Sequence, residues 1–98
     1  MIEVKPVQLE GGSALGVKVA QSDGKPLAVV IIAPKGVLVC ANFDIVALES
    51  KGVAAVMVQG INSVETALET KVVKATSQAK ELGVAEGMAV RKALEKLC

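Results

Sequence analysis

The spacing of apolar and polar residues divides the chain into a β-rich first part and a mixed second part. Ile2 and Val4 alternate with Glu3 and Lys5, and beyond Pro6 the apolar positions become Val7 and Leu9. This change of parity predicts a bulge or bend at the proline, which is best tolerated on an edge strand. After the turn Gly11-Gly12-Ser13, Leu15, Val17 and Val19 alternate with Gly16, Lys18 and Ala20, predicting a half-exposed strand. That strand ends at Ser22-Asp23-Gly24-Lys25, where Asp-Gly suits a turn with positive φ. Leu27 to Ala33 and Val37 to Cys40 are then apolar at every position, so both faces of these two strands are expected to be covered. Pro34-Lys35-Gly36 joins them as a hairpin turn, completing a four-strand meander.

The run Gly36 to Asp44 is the hinge of the chain, since it closes the meander and launches the first helix. Asp44 stands just before Ile45-Val46-Ala47-Leu48, where its carboxylate can accept from the free amides of a first helical turn. Lys51-Gly52 ends that helix, and Val53 to Val58 forms a fifth apolar strand. Gly60-Ile61-Asn62-Ser63 leads into the next helix, with Asn62 read as its N-cap and Glu65 as the partner in a capping box. From Val72 the spacing Val72, Ala75, Thr76, Ala79, Leu82 predicts a helix stopped by Gly83, and Gly87 opens a last helix whose stripe is Val90, Ala93, Leu94 and Leu97. The expected fold is α+β: a mostly antiparallel sheet of about five strands, with helices packed from the C-terminal half. The chain forms a single domain over residues 1–98, in which 1–35 is a β-rich oligomerisation region and 36–98 a β-α-β-α-α-α core.

Two or three strands want both faces buried, while the helices are few, short and drawn mostly from the second half. One sheet face can take the helices; the other needs a partner, and packing against a copy of the same chain is the usual solution. The competing arrangement folds the N-terminal hairpin over its own sheet as a monomeric sandwich. A third possibility adds a partner's strand to the edge near Glu3 to Leu9.

Composition narrows the chemistry. The chain has 98 residues, 52% of them hydrophobic, yet Phe43 is its only aromatic residue, so the core is built from aliphatic side chains. A net charge of +1 without runs of like charge gives no electrostatic footprint for nucleic acid, and no aromatic platform exists for stacking bases. No apolar stretch approaches bilayer-spanning length and the N-terminus lacks a leader pattern, so a cytoplasmic protein is expected. Two cysteines, Cys40 within a strand and Cys98 at the chain end, suit a reducing compartment better than a disulfide framework. With no histidine and no thiol cluster, no metal site is expected, and no cofactor is implied.

Cys40 is the one nucleophile worth weighing, and Asp44 the one acid or base beside it. Activation of the thiol needs a histidine, a cation or a helix dipole, and a carboxylate at the helix cap would oppose thiolate formation. Cys40 as a small core hydrophobe and Asp44 as a cap therefore outweigh a catalytic pair. Gly60, Asn62 and Ser63 are candidates for ligand binding, because a strand passing through glycine into a helix N-terminus is the general geometry of an anion site. The leading functional reading is a homo-oligomeric module that binds a small ligand or a partner protein. The rival is an enzyme with Cys40 and Asp44 in a cleft between subunits.

Gly36, Leu38, Cys40 and Asp44, with Leu82-Gly83-Val84, Gly87-Met88 and Ala93-Leu94 in order after them, resemble the family called DUF1805 or YunC-like. The resemblance spans roughly Lys35 to Leu97. It implies a bacterial or archaeal cytosolic protein whose N-terminal β region mediates assembly into a homotetramer, and it implies no activity. Ala41 stands where the family has glycine after the cysteine, and Val90 where glycine is frequent. If that first glycine admits a ligand to the Cys40 backbone, Ala41 narrows the approach here.

Overall fold

A computed structural model describes all of residues 1–98. Six strands form one sheet in sequence order: β1 (Ile2–Leu9), β2 (Gly12–Ala20), β3 (Pro26–Ile32), β4 (Val37–Cys40), β5 (Ala55–Val58) and β6 (Lys74–Ala75). Neighbours are antiparallel except β4 and β5, which run parallel and are joined through the helix α1 (Ile45–Ser50). Three further short helices follow, α2 (Val64–Leu68), α3 (Ser77–Glu81) and α4 (Val90–Lys96). The α+β class and the mostly antiparallel sheet agree with the sequence reading, and the sheet gains a sixth strand.

The register assigns every strand residue to a face. Lys5, Gly16, Ile31, Leu38, Val56 and Ala75 form one row across all six strands. Ile31, Leu38 and Val56 are fully buried in this row, in the same core cluster as Val64 and Ala67 of α2 and Ala93 and Leu94 of α4. Two glycines bring this layer close. A Cβ on Gly16 would stand 2.8 Å from a methyl of Val64, and one on Gly36 would stand 2.6 Å from the Ala54 carbonyl oxygen and 2.9 Å from Leu97.

The adjacent row on the opposite face is Val4, Val17, Val30, Val39 and Met57. Val39 and Met57, at the end where α1 packs on β5, are only 2% and 7% exposed, whereas Val4 at the other end is 56% exposed. Around it, Ile2, Pro6, Leu15 and Ile32 are exposed, and Val17, Val19, Ala28 and Val30 half-buried. The expectation that both faces of the third strand are covered is thus met on one face only. The N-terminal hairpin continues the sheet and does not fold over it, so the sandwich arrangement is not formed.

No bulge occurs at Pro6. The β1 register runs unbroken from Ile2 to Leu9, and the parity switch arises because Ile2 and Val4 lie on the open face while Val7 and Leu9 lie toward the core. Met1 and Ala20 exchange main-chain hydrogen bonds, which by alternation turns the peptide nitrogens of Ile2, Val4, Pro6 and Gln8 toward the free edge. Pro6 therefore loses no ladder bond. It also leaves a gap in the row of donors that a strand from another chain would need.

The helix expected from Val72 to Leu82 is a correction. Residues 70–72 pair instead with residues 87–90, through Val72 N–H to Met88 O, Gly87 N–H to Val72 O and Val90 N–H to Thr70 O, while Val73 N–H donates to Met57 O of β5. Thr76, 1% exposed, accepts from Ala55 N–H at 2.9 Å and donates to Val53 O at 2.7 Å, so its hydroxyl ties the chain to β5 and caps α3. Threonine competes for main-chain partners in this way, which shortens a helix that its spacing would otherwise extend. For the same pairing reason Gly87 precedes the last helix, which begins at Val90.

Substitution Gly36→Ala forces backbone or Leu97 to shift, and overpacking of this kind costs about 1–3 kcal/mol. Thr76→Val leaves the Ala55 N–H and Val53 carbonyl unpaired inside the protein, at a similar cost of about 1–3 kcal/mol. Urea unfolding of both variants, with unchanged dependence on denaturant, checks these values.

Candidate functional site

Parallel pairing of Cys40 with Val58 brings the carboxyl ends of β4 and β5 to the same edge of the sheet. The loops that follow, at 41–43 and 59–62, therefore run side by side. The start of β3 completes a cleft, because the β3–β4 register carried past Val30 and Val39 sets Leu27 opposite Asn42. Asn42 Nδ2 donates to the Leu27 carbonyl at 2.6 Å and ties the first loop down. The cleft has a volume of about 110 Å³ and is lined by Leu27, Val29, Cys40, Asn42, Gly60 and Ile61, among others.

Cys40 is 7% exposed and makes no side-chain hydrogen bond. Gly60 takes φ +69, and no atom lies within 4 Å of the place its Cβ would occupy. Two of the residues singled out from the sequence, Cys40 and Gly60, thus meet in one cleft. Asp44, Asn62 and Ser63 do not line it.

Asp44 is the N-cap of α1, its Oδ1 accepting from Val46 N–H at 3.0 Å and Ala47 N–H at 3.2 Å. The cap of α2 is Ser63, one residue beyond the expected Asn62. Ser63 Oγ accepts from Thr66 N–H at 3.1 Å, and Thr66 Oγ1 accepts from Ser63 N–H at 3.1 Å, closing the capping box without Glu65. Threonine can serve at this position because its hydroxyl, like a longer carboxylate, reaches back to the cap amide. Glu65 pairs with Lys5 of β1 instead, and this contact holds its carboxyl below the ordinary range and raises the Lys5 ammonium.

A second tie fixes α1 to α3. Glu49 accepts from both the hydroxyl and the main-chain N–H of Ser77, the latter at 2.8 Å, and these two bonds lower its pKa. The helix ends of the second half are thus fastened by side chains, while the cleft itself is lined by no charged group.

Asn42 and Leu27 are among the cleft residues that sequence reading missed. An asparagine just after a strand is a turn signal, and its side-chain bond to a distant carbonyl depends on a register that spacing does not disclose. No group of three or more His, Cys, Asp or Glu side chains comes together to hold a metal. No helix is long and apolar enough to cross a membrane.

With this geometry in view, the likeness to other proteins falls into place. The family described as a domain of unknown function, DUF1805, matches residues 39–97, from the end of β4 through α4, and includes both loops of the cleft. The chain belongs to that family. A protein of unknown function from Thermoplasma acidophilum, TA1206, has a crystal structure with the same fold. The two align with a TM-score of 0.89 at 24% identity, over 100% of this chain and 94% of that one. The likeness therefore extends through β1 to β3, outside the family match. No curated protein matches the sequence.

Glu49 gives the contact between α1 and α3 a pH dependence. Its folded pKa lies below its ordinary value of 4.5, so its contribution is complete above that value and is lost as pH falls through the folded one. Glu49→Ala is expected to be less stable than wild type at pH 7, and the difference should shrink as pH falls below 4.5. Urea midpoints of the two proteins between neutral and acid pH measure this; a constant difference would contradict it.

Proposed function

We propose that this chain is a self-assembling module, whose unit is a two-fold pair formed by the open face of β1, β2 and β3. Two such units make the homotetramer implied by the family resemblance, with residues 1–35 as the assembly region. The observation that carries the reading is the row Val4, Val17, Val30, flanked by Ile2, Leu15 and Ile32, which leaves an apolar sheet face without a cover. No charged side chain interrupts the face between Ile2 and Ile32 along these rows. Its β-branched residues suit sheet-on-sheet packing at a spacing of about 10 Å.

A second copy fits this face better than another occupant. A two-fold axis brings the same patch of both copies together, so each valine row can meet its own counterpart. Covering a half-exposed valine, leucine or isoleucine is worth about 1 kcal/mol, so the six residues above together supply a useful driving force. Pro6 disfavours the alternative of strand addition at the β1 edge. The module works in the cytoplasm of a prokaryote on this reading. Both cysteines are free thiols, as a reducing compartment keeps them, and the structural relative is archaeal. Catalysis by Cys40 and Asp44 draws no support, because the Asp44 carboxylate is engaged at the helix cap and lies outside the cleft.

The test places a charge in the middle of the row. Val17→Glu is expected to weaken association by about a hundredfold or more, because an unpaired carboxylate would be desolvated in the interface. Val46→Glu, on α1 where the valine is 72% exposed, serves as the control and should assemble as wild type does. Gel filtration with light scattering reads both. A folded Val17→Glu protein with the wild-type particle mass would sink the proposal.

A further inference from the structure

We propose that the cleft at the carboxyl ends of β4 and β5 binds a compact, uncharged carbonyl compound. The inference is independent of assembly and rests on three features of the cleft. Its position is the first: the cleft lies beyond the carboxyl ends of two adjacent parallel strands, the end of an open α/β sheet at which ligands bind.

The second feature is the set of donors. Ala41, Asn42, Gly60 and Ile61 lie outside the regular elements, and their main-chain N–H groups make no hydrogen bond within the protein. Two loops thus bring four residues with unpaired N–H groups to the lining of one small space, where a carbonyl oxygen can take the place of water on any of them. The Asn42 side chain spends its amide N–H on Leu27, which leaves its own oxygen available to a donor on the ligand.

The third is the wall opposite. Val29, Leu27 and Ile61 offer carbon surface, and the Cys40 thiol, 7% exposed and without a partner, lines the same space. A soft, weakly polar sulfur suits the carbon end of a carbonyl compound better than it suits a charge. Neither a cation nor a carboxylate lines the cleft, so an ion entering it would lose water without gaining a counter-charge. The volume of about 110 Å³ is far below that of a drug-sized site and holds roughly four water-sized groups.

Acetamide is the probe, and acetate, of the same size and shape but charged, is its control. In Cys98→Ser protein, where Cys40 is the only thiol, acetamide should shift the amide resonances of Asn42, Gly60 and Ile61 in a saturable way. At about ten times its dissociation constant it should slow alkylation of Cys40 by iodoacetamide about tenfold, because few molecules then have an open cleft. Acetate should do neither. Cys40→Leu, whose side chain fills the space, should abolish the acetamide shifts. Absence of saturable shifts in the Cys98→Ser protein would overturn the proposal, whether or not the leucine variant folds. Shifts as large with acetate would overturn the assignment to an uncharged ligand. Amide spectra report cleft binding equally well in a monomer or an assembly, so failure here is separable from failure of the assembly reading.

Discussion

Short helices on a wide sheet set the governing constraint. None of the four exceeds seven residues, and six strands lie side by side, so helical cover reaches one face and the β4–β5 end of the other. Burial therefore falls along a single row, from buried Met57 and Val39 to exposed Val4. A domain of this size has a small net stability, and an apolar face left in water contributes nothing to it. In the proposed assembly, closing that face against a copy would turn the exposed half of the sheet into a second core.

The same arrangement separates two roles along the chain. The meander β1 to β3 presents the open face, and the segment from β4 onward builds the cleft. The crossover through α1 makes the difference, because it is the step that turns the sheet from antiparallel to parallel. Antiparallel strands can be closed by tight turns, as at Asp23-Gly24, where Gly24 takes φ +92. Parallel strands place two carboxyl ends together, and their loops, held by Asn42 on one side and the Ser63–Thr66 cap on the other, enclose a space.

Local signals in the sequence were legible where one residue type answers one local need. Asp44 as a cap, Gly52 at a helix end with φ +74 and the Asp-Gly turn all stand where their chemistry places them. The uncovered face was legible as a shortage of helix. Spacing failed between Val72 and Leu82, since a helical pattern of apolar residues also fits a strand followed by a capped turn, and only the partners of Thr76 decide between them. Ser63 and Asn62 are both good caps, and the choice fell to the residue whose hydroxyl meets Thr66. The cleft was half legible. Cys40 and Gly60 stood out singly, but their meeting depends on the parallel register of β4 and β5, which no local pattern carries.

Native mass spectrometry of the unmodified protein tests the central claim, that the open face of β1 to β3 is an interior surface. The account predicts particles containing whole multiples of the 10.0 kDa chain, with the pair as the smallest abundant species. A single chain of 10.0 kDa at every concentration would contradict it.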